Sequence, residues 1–328
     1  MRGKGQTGQR EAQSNANVDA FPDEEIDQAA MIRRYPKHAK AVIQNLMKME
    51  TTKIQYPLME QLVVMYAKEL LGQPFENQVP GRGGKWSRGS RGRGRGRGSE
   101  TPSNNRHTSA PDLSDFSKQQ KYRGILVFLP GYAEIATLHE ALTSNPQIRD
   151  MTDNGKYCFA LHSTLSSEEQ KRVFQNPPDG IVKIIISTNV AETSITIDDV
   201  VLVLDAGKMK ETRFDPMKGM VSLDECWVSK ANAIQRRGRA GRVSSGKCIH
   251  LFTSHKFDHV LQAQQLPEMH RTPLEQLCLR IKILPFLKGK ISQVLERVIE
   301  PPSLSAVNAA IKMLQGLQVG GLKDTYCD

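Results

Sequence analysis

No glycine–lysine pair in this sequence is followed by serine or threonine. Gly3, Gly84, Gly155, Gly207, Gly246 and Gly289 each precede a lysine, and the residues that follow are glycine, tryptophan, tyrosine, methionine, cysteine and isoleucine. A phosphate loop of the form G-x-x-x-x-G-K-[ST] is thereby excluded from these 328 residues. Asp23-Glu24-Glu25 is the nearest acidic box, but it follows Pro22 in a polar stretch with no apolar strand to hold it rigid. It reads as a helix start or an unordered acidic run. The five cysteines (Cys158, Cys226, Cys248, Cys278 and Cys327) form no CxxC pair, which argues against a zinc site or a disulfide framework and for a reducing compartment. His250, His255 and His259 lie close together without a cysteine or acid at ligand spacing, so surface or packing roles are expected and no metal site is assigned. The N-terminus lacks the apolar core of a secretory signal, and no apolar run approaches the ~18 residues of a membrane span. The expected compartment is the cytoplasm or nucleus, without secretion or a membrane partner.

What is present is charge, and its location is informative. The net charge is +10, and the stretch from Gly81 to Gly98 holds six arginines, one lysine and no acid. A hydrophobic content of 38% and a mean hydropathy of −0.46 suggest that part of the chain does not fold alone. Residues 1–30 read as a disordered polar lead. Residues 73–120 read as a disordered linker whose centre, Ser87 to Gly98, alternates arginine with glycine. Such a segment buries too little apolar area to offset its ordering entropy. Arg88, Arg91, Arg93, Arg95 and Arg97 are candidate RNA contacts, through phosphate charge and guanidinium stacking on bases. The plain alternative is a flexible linker that happens to be basic.

Periodicity divides the rest. Residues 31–72 carry two helical patterns around Pro57: Ala41, Ile43, Leu46 and Met47, then Leu58, Leu62, Val63 and Tyr66. From residue 121 strands and helices alternate, which predicts a parallel sheet covered on both faces. The strand candidates are Gly124–Leu129, Tyr157–Leu161, Lys183–Ser187, Val200–Leu204 and Lys247–Phe252. Ser166-Ser-Glu-Glu169 is a capping box for a helix running to Phe174, and Ile135, Leu138 and Leu142 form the stripe of an earlier helix. Right-handed crossovers place the strand-end loops on one sheet edge, where open α/β folds bind ligands. After Pro273 the pattern turns helical through Leu274, Leu277, Cys278, Ile281, Val294, Val298, Val307, Ala310, Ile311 and Leu314.

The octet Gln235-Arg-Arg-Gly-Arg-Ala-Gly-Arg242 carries the most chemistry. At helical spacing Gln235, Arg239 and Arg242 leave one face. Gly238 and Gly241 cost such a helix about 1 kcal/mol each, and close approach of another surface would justify them. Two guanidiniums and an amide beside two glycines suit a phosphate chain, because arginine combines charge with a fixed fork of donors. A basic solvated face is the plain alternative.

This octet resembles the last motif of DEAH-box RNA helicases, Q-R-x-G-R-x-G-R. Gly124-Ile-Leu-Val-Phe-Leu-Pro-Gly131 resembles the strand opening that family's second RecA-like lobe, and Ser187-Thr-Asn-Val-Ala-Glu-Thr-Ser-Ile-Thr-Ile-Asp198 is similar to its S-T-N-x-A-E-T-S-x-T-I-D block. The resemblance covers roughly residues 121–318 and is nearest to animal members with ubiquitin-associated and RWD modules upstream. It implies an α/β fold with five segments: the lead (1–30), flanking helices (31–72), the RG-rich linker (73–120), the RecA-like lobe (121–256) and the start of a winged-helix region (257–328).

The resemblance also implies roles. ATP lies between two lobes in the family, and Gln235, Arg239 and Arg242 match positions that reach the γ-phosphate and its attacking water. Asp198 matches a carboxylate that accepts from the ribose. Phe174 resembles the aromatic that stacks on the adenine, with a core phenylalanine as the alternative. Thr188 and Asn189 match contacts to the RNA backbone, with turn capping as the alternative for Thr188. One loop then touches both nucleotide and strand. Lys208, Lys210, Arg213 and Lys218 fall on a hairpin, Gly207–Leu223, that the family uses to part strands. An ordinary hairpin with lysines guarding its edge is the other reading. Ser166 stands where many members have proline.

The family's first lobe, with its phosphate loop and metal-holding D-E-A-H, has no counterpart in these residues, so Mg²⁺ would be held elsewhere. The expectation is the C-terminal part of an ATP-dependent RNA helicase, inactive alone, that binds single-stranded RNA and admits an activating protein partner. The alternative is a non-catalytic RNA-binding fragment or isoform.

Overall fold

The computed structural model describes residues 28–50, 52–73, 123–162, 167–215, 220–287 and 291–317. The polar lead up to residue 27, the RG tract with Arg88, Arg91, Arg93, Arg95 and Arg97, Ser166 of the capping box and Lys218 lie outside them.

Seven strands are described: β1 (Gly124–Phe128), β2 (Cys158–Leu161), β3 (Lys183–Ser187), β4 (Val200–Asp205), β5 (Lys208–Asp215), β6 (Met220–Trp227) and β7 (Lys247–His250). Five of them form one parallel sheet in the order β2-β3-β1-β4-β7, while β5 and β6 pair as an antiparallel hairpin. Strands β1, β3 and β4 are buried along their whole length. That is why they read as unbroken apolar runs rather than as alternation. Each expected strand is found within two residues of its forecast ends.

The period of two still governs which face each residue fills. Ile125, Val127, Ile184, Ile186, Leu202 and Leu204 pack with helices α3 (Tyr56–Leu70), α4 (Tyr132–Ser144) and α5 (Pro146–Met151). Leu126, Phe128, Ile185 and Val203 fill the opposite face with Val173 and Ala191. The stripe Ile135, Leu138 and Leu142 is fully buried, as its spacing forecast.

The flanking region departs from expectation. It holds three helices, α1 (Gln28–Arg34), α2 (Lys40–Lys48) and α3, and Pro57 lies in the first turn of α3. Proline is tolerated there because that turn's N–H groups have no helical acceptor. Leu58, Leu62 and Tyr66 are not fully buried. The fully inward ridge is Met59, Val63, Ala67 and Leu70. Ion pairing of Lys247 with Glu69 at 3.0 Å and a 2.8 Å bond from Asn145 to Glu60 fasten α3 to the sheet and to the α4–α5 corner.

Toward the C-terminus, helices at Glu275–Ile283, Ile291–Leu295 and Leu304–Gly316 bury Leu274, Cys278, Ile281, Ile291, Leu295, Val307, Ala310, Ile311 and Leu314 in a separate cluster. Among the described residues no helix is long and apolar enough to cross a membrane.

Candidate nucleotide and strand interface

Register sets the edge on which the candidate residues gather. Phe128 aligns with Ser187 and Asp205, Leu161 with Ser187, and Asp205 with His250. The strands therefore end level, and residues 188–198, 206–207 and 251–253 leave the same edge.

The octet begins on a short helix, Lys230–Arg237. Ser229 caps it, accepting from Asn232 N–H at 3.2 Å, while the Asn232 side chain accepts from Ser229 N–H at 3.4 Å. This reciprocal box satisfies two donors that a helix start leaves free. The expectation of one helical face from Gln235 to Arg242 is overturned. The helix stops at Arg237, Gly238 is its C-cap, and Gly241 has φ +92°. A left-handed residue cannot continue a helix, and glycine adopts that conformation without a Cβ penalty. The helix thus ends ahead of Gly238, Gly241 turns the chain beyond it, and Arg239 and Arg242 leave a turn rather than a ridge.

That turn sets the two arginines differently. Arg242 is exposed and donates from Nη1 to Thr196 Oγ1 at 3.0 Å, joining the octet to the loop after β3. Arg239 is half-buried, and its Nε and Nη1 are buried without a hydrogen-bond partner. Burial and the neighbouring Arg242 charge pull its pKa down from the usual guanidinium range, against an upward pull from Glu192. Unpaired buried donors are costly, and the charge beside them favours an anion. Gln235 is exposed on the last turn of the helix.

On the loop after β3, Thr188 is 6% exposed and its Oγ1 accepts from Val190 N–H over a long 3.4 Å. Asn189 is exposed and makes no capping bond with its side chain. Asp198 is exposed, whereas its neighbour Asp199 is buried and pairs with buried Lys183 at 2.7 Å. Phe174 lies beyond its helix, which ends at Arg172, and is 50% exposed. Val173 takes the core position instead, so the core-phenylalanine alternative is overturned. Among the described residues, no group of three or more His, Cys, Asp or Glu side chains could hold a metal ion.

A hairpin forms where one was expected, but it runs on to Trp227, four residues past the forecast end, and its described cations Lys208, Lys210 and Arg213 are engaged. Lys208 pairs with Glu225 and lies 5.1 Å from the Trp227 ring centre. Lys210 bonds both oxygens of Glu134, at 2.9 and 3.0 Å. Arg213 lies 3.8 Å from Glu211. The exposed side chains of β6 include Met220, Val221 and Leu223. At the hairpin's base, Gly207 has φ +73°, and a Cβ there would lie 2.2 Å from the Phe252 ring.

Sequence reasoning passed over the residue at the centre of the edge. Arg236 is fully buried, bonding Glu192 Oε2 through Nε at 3.0 Å and Asp205 Oδ1 through Nη1 at 2.8 Å. Burial opposes its charge, but the two carboxylates outweigh that and raise its pKa. Asp205 also accepts from Gly207 N–H at 2.9 Å and bonds His250 Nδ1 at 3.1 Å. The acid partner that His250 lacks in linear spacing is thus supplied by the fold. Three signals were available in the sequence: an acid closing an apolar strand, a glutamate in A-E-T-S, and an arginine on the inward side of the octet.

Known proteins share this architecture. A family model described as the helicase conserved C-terminal domain matches residues 109–244. The chain is 45% identical over 300 residues to a human protein named putative ATP-dependent RNA helicase DHX57, covering 91% of this chain and 18% of that protein. It is 51% identical over 199 residues to the Arabidopsis thaliana chloroplastic DExH-box ATP-dependent RNA helicase DExH4, covering 61% of this chain and 14% of that protein. With bovine ATP-dependent DNA/RNA helicase DHX36 the identity is 50% over 194 residues, 59% of this chain and 18% of that protein. The chain thus spans less than a fifth of each relative. Among solved structures, the Escherichia coli DExH-box NTPase HrpB superposes with a TM-score of 0.51 at 32% identity, over 60% of this chain and 23% of that one.

Proposed function

We propose that this chain, which belongs to the DEAH-box RNA helicase family, forms the lobe that completes the nucleotide site and grips RNA in an ATP-dependent helicase. The observation that carries this reading is Arg239. A half-buried guanidinium with two unpaired buried donors, set beside a second arginine, suits an incoming phosphate oxygen better than it suits solvent.

The other residues fit around it. Gln235, exposed one turn before Arg239, is offered to the attacking water. Arg239 and Arg242 would stabilise charge as it spreads over the transferred phosphoryl group, the principal contribution a protein makes to phosphoryl transfer. Asp198 and Phe174, both exposed, suit ribose hydroxyls and a base. ATP, when bound, supplies the phosphoanhydride, and Mg²⁺ would be held by a phosphate-loop lobe. Thr188 and Asn189, at the end of β3, would hold RNA backbone without reading sequence, and the hairpin would part strands. A non-catalytic RNA-binding module is the weaker reading, since it gives no reason to bury unpaired donors on Arg239.

The test supplies a phosphate-loop lobe to the purified chain and measures ATP turnover with and without single-stranded RNA. Turnover that depends on the added lobe and is lost in Arg239→Ala supports the reading. Turnover indifferent to Arg239→Ala sinks it.

A further inference from the structure

Three segments that the proposed function treats separately meet at one side chain. The strand-gripping loop brings Glu192, 2% exposed, from the short helix Val190–Thr193. The end of β4 and the base of the hairpin bring Asp205 and the Lys208 carbonyl, the latter 3.2 Å from Arg236 Nη1. The octet helix brings Arg236 itself, over the Phe128 ring at 4.9 Å. Glu192 is held a second time by the same helix, because Asn232 Nδ2 donates to its Oε1. Asp205 is likewise held twice more, by Gly207 N–H and by His250.

We propose that Arg236 is a positioning residue, a clasp that makes the loop 188–198, the hairpin base and the octet move as one body. The reasons are geometric. One fully buried guanidinium is bonded to separate segments, and each carboxylate it binds is bonded again close by. A group that only filled space could be apolar, since well-packed apolar residues commonly equal or exceed a buried ion pair in stability. What directional bonds add is a fixed relative placement. Low dielectric stiffens such bonds, so displacing one segment strains the others. Moreover, the two segments carrying Thr188 and Arg239 meet outside the clasp through the Arg242–Thr196 bond, which is exposed and lies beyond a left-handed glycine. Ala240 adds apolar packing on the cluster that holds Ala191 and Ile197, and the clasp supplies the buried directional bonds between the two segments.

The existence of the clasp is independent of the proposed function. Its consequence, that nucleotide at Arg239 is felt at Thr188, rests on that reading. Two measurements separate them. In the first, amide hydrogen exchange is followed on the 328-residue chain and on Glu192→Gln, which keeps shape and an acceptor for Asn232 while removing the charge that Arg236 binds. The clasp predicts exchange faster by about tenfold or more in 188–198, 207–210 and 230–242 together, with β1 and β3 still protected. A uniform rise across the lobe, or a rise confined to 190–193, overturns it. Arg236→Lys, which retains charge but loses the fork, should loosen the same three segments to a smaller degree.

In the second measurement, with a phosphate-loop lobe supplied, Glu192→Gln should lose at least about tenfold more of its RNA-stimulated ATP turnover than of its basal turnover. Equal loss of basal and stimulated turnover overturns the coupling. If the wild-type pair turns over no ATP, the functional reading fails, and hydrogen exchange alone decides the clasp.

Discussion

At Asp205 burial and charge pull in opposite directions. Burial pushes its carboxyl upward, while the Arg236 charge and bonds from His250, Arg236 and Gly207 N–H outweigh it and hold the pKa below the ordinary 3.8. A carboxylate depressed in the folded state contributes stability that is fully present above its unfolded value and lost as pH falls through its folded one. Acid melts of the chain should therefore steepen below about pH 4, in proportion to that depression. Asp205→Ala should flatten that limb and lower stability at neutral pH by about 3 kcal/mol, the low end for removing one partner of a buried pair. Urea titrations from neutral pH down into the acid limb check both, and an unchanged acid limb in the variant would assign the stability elsewhere. Arg239 invites a kinetic test instead. With a phosphate-loop lobe present, Arg239→Ala should lower turnover about a thousandfold, or about 4 kcal/mol, with the melting temperature unchanged. These two residues also differ in how legible the surroundings of each were. Arg239 stood out because charge beside two glycines is odd in any local pattern. Asp205 and its partner Arg236 did not, because the acid partners of Arg236 lie 31 and 44 residues away and only the closed sheet brings them to it.

The hairpin shows how an element can be read from resemblance while the partners of its side chains go unseen. It forms where one was expected, yet Lys208 and Lys210 spend their charge on Glu225 and Glu134 rather than presenting it to a strand. Lys210 joins the hairpin to the helix Tyr132–Ser144, so Lys210→Met should lower the melting temperature modestly and leave single-stranded RNA affinity within about twofold. Strand parting would fall to the exposed apolar side chains, with Leu223 65% exposed. Replacing Met220, Val221 and Leu223 together by serine should reduce duplex unwinding severalfold in the lobe-completed protein. RNA-stimulated ATP turnover should hardly change. If unwinding persists, the wedge role is lost and an ordinary hairpin remains. Strand positions were legible because β1, β3 and β4 are buried on both faces and admit few polar residues. Helix registers were less so. In Tyr56–Leu70, Leu58-Leu62-Tyr66 and Met59-Val63-Ala67 are both apolar ridges, and only packing against the sheet selects the second. The octet failed as a helix for a different reason. Spacing counts residues and does not register that the helix ends at Arg237 or that Gly241 then turns left-handed.

For the whole molecule, the sheet edge and the RG tract would, under the proposed function, make distinct contributions to binding RNA, which salt would separate. If the six arginines and one lysine between Gly81 and Gly98 act on phosphate charge, each phosphate they neutralise should add about 0.7 to the slope of log affinity against log salt. Deleting Gly81–Gly98 should flatten that slope and weaken single-stranded RNA by a similar factor for every sequence, whereas Thr188→Val should weaken binding without changing the slope. An unchanged slope after the deletion would reduce the tract to a linker. ATP turnover separates the two ends of the molecule again. The 328 residues hold arginines able to stabilise charge but no phosphate loop to hold phosphates. Stabilising a transition state requires that the reacting group be positioned first, so an arginine without a held phosphate contributes no rate. The chain by itself should therefore show no ATPase above background at any RNA concentration, while retaining RNA binding through the tract and the strand-end loop. Addition of a phosphate-loop lobe should restore turnover in a manner sensitive to Arg239→Ala. Robust hydrolysis by the isolated chain, surviving Arg239→Ala, would mean that side chains away from the octet hold the phosphates, and the division of labour between two lobes would have to be abandoned.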